Sequence, residues 1–224
     1  MKKKQVLRIV TDVLMTAALV LLMSYSLLGE AAHEWIGVAM LVLFVTHHVL
    51  NRRWFRGLFK GRYTPFRIFQ TALVLMIFAG MIGSAVSGAV LSRYALDFLP
   101  IRGGRAWARE VHMLCAYWDF VLMSLHLGFH WNMMLAKVRN IGKAQTWLLR
   151  IAALGVAMYG IYAFAKQDIL NYLLLRNHFV FFDFDAPRIV FYLDYIAIMG
   201  LFICIGHYLA RWLRRGNSSH ESIK

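Results

Sequence analysis

Six stretches of about twenty mostly apolar residues follow one another along this chain, at roughly 8–28, 33–51, 66–91, 107–132, 146–165 and 189–212. As a helix, each can cross the ~30 Å hydrocarbon core of a bilayer. A helix also satisfies its own backbone hydrogen bonds, which lipid cannot do. The expected fold is therefore all-α, a polytopic transmembrane helical bundle of about six spans. Composition points the same way: 60% of the 224 residues are hydrophobic and 16% are charged. A water-soluble domain of that size has too little interior to hide so much apolar surface.

The breaks have turn chemistry. Gly29-Glu30 separates the first two stretches, Gly61 to Pro65 precedes the third, and Pro100 to Gly104 precedes the fourth. The N-terminal Lys2 to Lys4 followed by apolar residues looks like the start of a signal peptide. The run is long enough to span and no Ala-x-Ala site follows, so it is read as a first helix. The connection at about 166–188, with Phe179, Phe181, Phe182 and Phe184, is too short to span and is expected at an interface or capping the bundle.

The formal net charge is +14, but the basic residues fall between apolar stretches rather than in one patch, so nucleic acid is not an expected partner. They act as topology signals. With the N-terminus inside, 18 of the 25 Lys and Arg lie on the inner side, so both termini are expected to be cytoplasmic. Cys115 and Cys204 sit within apolar stretches as small buried hydrophobes. No Cys-x-x-Cys-His occurs, which excludes covalent c-type haem attachment.

The nine histidines carry the functional signal. His33 and His47 lie 14 residues apart on the second stretch, and His112 and His126 lie 14 apart on the fourth. Fourteen residues turn a helix through about 1400°, some ~40° short of four turns, and raise it by ~21 Å. Each pair thus shares a face. By the expected topology the two helices run in the same direction, so His33 is level with His112 near the outer surface and His47 with His126 near the inner one. Two facing imidazole pairs at matched depths are what two six-coordinate haems require. His130 or His48 could stand in as an inner ligand, and His207 is a polar contact of the bundle or a quinone-site residue.

The runs His33-Glu34-Trp35-Ile36-Gly37, His47-His48-Val49-Leu50-Asn51-Arg52-Arg53-Trp54, Lys60-Gly61-Arg62-Tyr63 and Ser124-Leu125-His126-Leu127-Gly128-Phe129-His130-Trp131 resemble a family of prokaryotic membrane proteins with no assigned substrate. That family is grouped with the cytochrome b-like di-haem four-helix bundles. The resemblance covers about residues 30–132 and implies haem binding and respiratory-type electron transfer at a prokaryotic plasma membrane. The chain is read as a single transmembrane haem-binding domain over 1–216, with a cytochrome b-like core at about 8–132, two additional spans at about 146–212 that lie outside the resemblance, and a polar tail at 217–224.

Haem propionates call for cations. Arg102, Arg105 and Arg109 accompany the outer histidines, and Arg52 and Arg53 the inner ones, although basic residues also flank most spans. Asp119 lies seven residues from both His112 and His126, mid-membrane, where a bare carboxylate is expensive; it is either protonated or paired. Glu34, Asp97, His48, His130 and His207 are candidates for a proton acceptor in a quinol site, and Asp12 and Asp194 are weaker candidates for polar roles. Gly80, Ser84 and Gly88 form a small-residue stripe on the third stretch, suited to close helix contact or to making room for a porphyrin. Trp35, Trp54, Trp107 and Trp131 fit an aromatic belt.

The reading that joins these features is a membrane b-type cytochrome with two bis-histidine haems b, passing electrons between a quinone pool and a redox partner. With no Gly-rich dinucleotide fingerprint, the chain needs a flavoprotein or another oxidoreductase subunit as partner. The alternatives are a ferric-reductase-like transmembrane reductase and a non-haem metal or proton transporter.

Overall fold

The computed structural model of the chain describes residues 3–101, 103–135 and 143–221, with side chains for all of these except 132–135, 143, 144 and 216–221. The described backbone is 80% helical and has no strand. In order the helices are α1 (Lys3–Leu22), α2 (Tyr25–Leu28), α3 (Glu30–Leu50), α4 (Arg53–Gly57), α5 (Pro65–Leu91), α6 (Arg105–Leu135), α7 (Lys143–Lys166), α8 (Ile169–Leu173) and α9 (Arg188–Glu221).

The six apolar stretches correspond to the six long helices. Five of these, α1, α3, α5, α7 and α9, are long and apolar enough to cross a membrane. The fourth expected stretch, α6, has the length at 31 residues but not the hydropathy, because it carries Arg105, Arg109, Glu110, Asp119 and three histidines. Its surroundings explain the difference. α6 packs against α5 on one side and α8 and α9 on the other, and Ala108, Phe120 and Phe129 on it are buried completely or nearly so. A helix walled in by other helices needs no lipid-facing apolar surface of its own. The outer helices carry that surface, as with Val42, Val45 and Val49 on α3 and Leu148, Ile151 and Leu154 on α7, all exposed on the protein and suited to lipid contact.

α1 ends at Leu22, six residues before the expected limit of its stretch. The Ser24 hydroxyl donates to the Leu21 carbonyl at 2.6 Å, a local bond that competes with the helical ladder, and α2 forms a separate turn. Gly29, at φ 82° in a conformation that side chains disfavour, then reverses the chain into α3. α5 starts on an N-cap: the Thr64 hydroxyl accepts from the Arg67 amide at 3.3 Å, with Pro65 in the first turn. α9 continues through Gly216 to Glu221, so the expected polar tail is largely a helical extension.

Packing divides the bundle into a hairpin of α1 and α3 and a cluster in which α5, α6, α9 and α7 adjoin in that order. Glycines set the closest approaches. A Cβ on Gly128 would run into the Ile203 carbonyl and come within 3.0 Å of the Gly206 Cα, so α6 and α9 meet almost backbone to backbone. α7 is bound to α9 by the completely buried Asp194, which accepts from Tyr159 Oη at 2.6 Å and from Lys166 Nζ and Gln167 Nε2, both at 2.8 Å. Asp194 is thereby a structural tie. In the aromatic connection Phe179, Phe181 and Phe184 are exposed, and the Tyr172 hydroxyl accepts from the Phe181 amide.

Candidate functional site

α3 supplies His33 and His47 and α6 supplies His112 and His126. The two helices scarcely touch through their backbones, since α3 packs mainly on α1 and α6 on α5 and α9. They meet through imidazoles. The His33 and His112 rings lie 6.0 Å apart between centroids, with planes at 71°. Two imidazoles on opposite sides of one metal, with bonds of about 2 Å and about 1.1 Å from nitrogen to ring centre, have centroids about 6 Å apart. The mutual twist is immaterial, because both planes contain the shared axis.

The surroundings of the outer pair favour a defined tautomer. His112 Nδ1 lies 3.1 Å from the Ser84 carbonyl and 3.2 Å from the Ser87 hydroxyl, which in turn donates to the Gly83 carbonyl. With Nδ1–H directed at a carbonyl, Nε2 carries the free lone pair that a metal takes. Across from it, His33 Nδ1 is buried with no hydrogen-bond partner, and Tyr25 stands edge-on to the ring at 5.2 Å.

The inner end is arranged differently. His47 Nδ1 lies 2.7 Å from Asp12 Oδ1 of α1, a carboxylate–imidazole pair of the kind that orients metal ligands. His126 Nδ1 is buried without a partner, and its ring lies 4.7 Å from that of His130. The His47 and His48 rings lie 5.4 Å apart between centroids. His48 Nδ1 bonds the Phe44 carbonyl at 2.8 Å, and its ring is walled by Phe44, Phe55 and Phe78. His130 Nε2 lies 3.4 Å from Gln70. Among the described residues no ring contact joins His47 to His126, so four imidazoles share this end more loosely than the outer two.

The small-residue stripe of α5 faces α6. A Cβ on Gly80 would collide with the Asp119 carboxyl, one on Gly83 would come within 2.6 Å of Cys115 Sγ, and one on Gly88 within 3.4 Å of His112 Cε1. Close helix contact is thus what this stripe achieves, and it seats the functional face of α6 against α5. Asp119 itself is 3% exposed, with Ser84 of α5 as its hydroxyl neighbour.

The expected cations are distributed unevenly. Arg109 is exposed one turn before His112, and Arg105 donates to the Leu91 carbonyl at 2.8 Å, closing the end of α5. Arg102 lies outside the described residues. Arg52 and Arg53 are exposed just beyond α3, and Arg53 lines a cleft of about 360 Å³ with Trp54, Lys60, Arg67 and Gln70. Gln70 links that cleft to His130.

Of the proton-acceptor candidates, Glu34 is committed elsewhere. Its carboxylate accepts from the Ser92 hydroxyl and from the amides of Arg93, Tyr94 and Ala95 at 2.7–2.9 Å, clamping the turn after α5 onto α3. His207 lies against Gly128 on α9, with a buried, unpartnered Nδ1.

Ser84 and Ser87 carry no distinguishing spacing in the sequence, where Ser84 marks only a small-residue stripe; their contact with His112 comes from the α5–α6 register. Among the described residues, no three His, Cys, Asp or Glu side chains converge to cage a bare metal ion. A haem needs only two axial protein ligands, because the porphyrin supplies the other four.

No family model, curated protein or solved structure matches this chain.

Proposed function

We propose that the chain is a six-span b-type cytochrome of a prokaryotic plasma membrane, with α6 as the sixth crossing and both termini cytoplasmic. In this reading it holds two haems between α3 and α6 and passes electrons between a quinone pool and a redox partner such as a flavoprotein. The observation that carries it is the 6.0 Å approach of His33 and His112 from two helices that otherwise scarcely meet.

His33 and His112 would hold the outer haem, and His47 and His126 the inner one. When bound, haem supplies one-electron chemistry at a potential that axial imidazoles help to set. The protein contributes orientation and charge. Ser84 and Ser87 hold the His112 tautomer, and Asp12 does the same for His47. Arg109 and Arg105 at the outer end, with Arg102 beside them in sequence, and Arg52 and Arg53 at the inner end would meet the propionates. The apolar helices keep water from the interior.

The deciding measurement is a reduced-minus-oxidised optical spectrum of the purified protein, with haem counted per chain. The expected result is a b-type spectrum with about two haems, one for each bis-histidine pair. His33→Ala and His112→Ala should each remove the same haem, and His47→Ala and His126→Ala the other. Retention of the inner haem in His126→Ala with loss in His130→Ala would reassign that ligand. A protein that stays colourless when haem is abundant would sink the reading.

A further inference from the structure

The two buried carboxylates among the described residues, Asp119 and Asp194, differ in kind. Asp194 is met by a lysine, a tyrosine and a glutamine. Asp119, 3% exposed, has no charged partner among the described residues, and its hydroxyl neighbour is Ser84 on α5. It nevertheless sits in a fitted notch: a Cβ on Gly80 would collide with the carboxyl, coming within 2.8 Å of Cγ. Ser84 on α5 lies alongside, and the Cys115 thiol, one turn earlier on α6, is the titratable group that faces it.

The position is as specific as the notch. Seven residues separate Asp119 from His112 and seven from His126, about 10.5 Å of rise each way and within ~20° of two full turns. Asp119 is therefore on the histidine stripe of α6, midway in rise between His112 and His126. An isolated carboxylate there is costly unless positive charge lies near it. An oxidised iron in a porphyrin with two neutral imidazoles has a core charge of +1, which reduction cancels, and bound metal charge dominates local protonation.

Resting on the two-haem reading above, we propose that Asp119 is the shared counter-charge of both sites, ionised while they are oxidised and protonated while they are reduced. Reduction of the two sites takes two electrons from a quinol or an added reductant such as dithionite, and with them one proton passes from bulk water to the Asp119 carboxylate, one proton for the pair of haems. Oxidation reverses the exchange. Ser84, beside Asp119, and Ser87, which contacts His112, are polar steps along the α5–α6 seam toward the outer face.

The test is redox-induced infrared difference spectroscopy of the full-length, haem-loaded protein, with carboxyl-¹³C aspartate and in ²H₂O. Reduction should produce a carboxylic-acid C=O band that shifts down with either isotope. The band should be lost in Asp119→Asn and return at a displaced frequency in Asp119→Glu, with haem content unchanged. The pH dependence of the haem midpoint potentials should weaken in Asp119→Asn. A coloured protein with no aspartyl band on reduction, or with the same band in Asp119→Asn, overturns the proposal and leaves the cytochrome reading standing. A protein that takes up no haem overturns both. Where Asp119→Asn does not fold, the labelled wild type and Asp119→Glu decide.

Discussion

Individual residues act here through small, directed contacts. His47 was legible from its 14-residue spacing to His33, but its partner Asp12 was only one of several scattered acids in the sequence. Their 2.7 Å contact depends on how α1 and α3 pack as a hairpin. Removing the carboxylate leaves His47 free to change tautomer and ring orientation. Outer-shell partners of this kind are worth 10- to 100-fold in ligand affinity, and partial exposure of both side chains favours the lower end. If the chain is the proposed cytochrome, Asp12→Ala should weaken haem binding at the inner site about tenfold, as measured by titrating haem into the haem-free protein. Unchanged affinity would make the pair an ordinary surface contact. Glu34 makes the opposite point. A carboxylate beside a histidine reads as a proton acceptor in sequence, yet in the fold its oxygens are occupied by one hydroxyl and three amides.

At the scale of helices, length and apolar character announced the six long elements, while their neighbours stayed hidden. α6 shows why. Its lower hydropathy looks like a weakness in a list of spans, and becomes intelligible once α5, α8 and α9 are seen to enclose it. Glycine separates the two kinds of helix surface. Gly128 faces the Ile203 carbonyl, a backbone group that cannot swing away, whereas nothing lies within 4 Å of a Cβ built on Gly155. Gly128→Val should destabilise the bundle by about 1–3 kcal/mol through overpacking. Gly155→Ala should be neutral or stabilising by about 0.5–1 kcal/mol, because it lowers backbone entropy loss without a clash. Thermal unfolding in detergent measures both, and equal responses would mean that the α6–α9 contact is not tight in the membrane protein.

For the whole molecule, the number of crossings decides the arrangement. Six crossings return the C-terminus to the side of the N-terminus, whereas the five strongly apolar helices alone would leave the termini on opposite sides. Reporter fusions that are active only in the cytoplasm should signal at both ends. A signal at one end alone would remove α6 or another helix from the set of crossings and bring down the matched depths of the histidines. The Lys and Arg distribution favours the same-side outcome, because positive loops are retained in the cytoplasm.

The amino-acid sequence by itself determined that this is a helical membrane protein, about where its long helices lie, and which histidines share a face. Those properties follow from local quantities: the apolar length needed to cross a bilayer and the 100° turn of each helical residue. Only the tertiary structure decided that His33 meets His112 at ring distance, that Ser84, Ser87 and Asp12 orient histidines on other helices, and that Asp119 has no charged partner among the described residues while Asp194 is fully bonded. Each of these depends on the register between helices, set by where glycines and small side chains let two backbones close. Helical periodicity within one segment carries no record of that register.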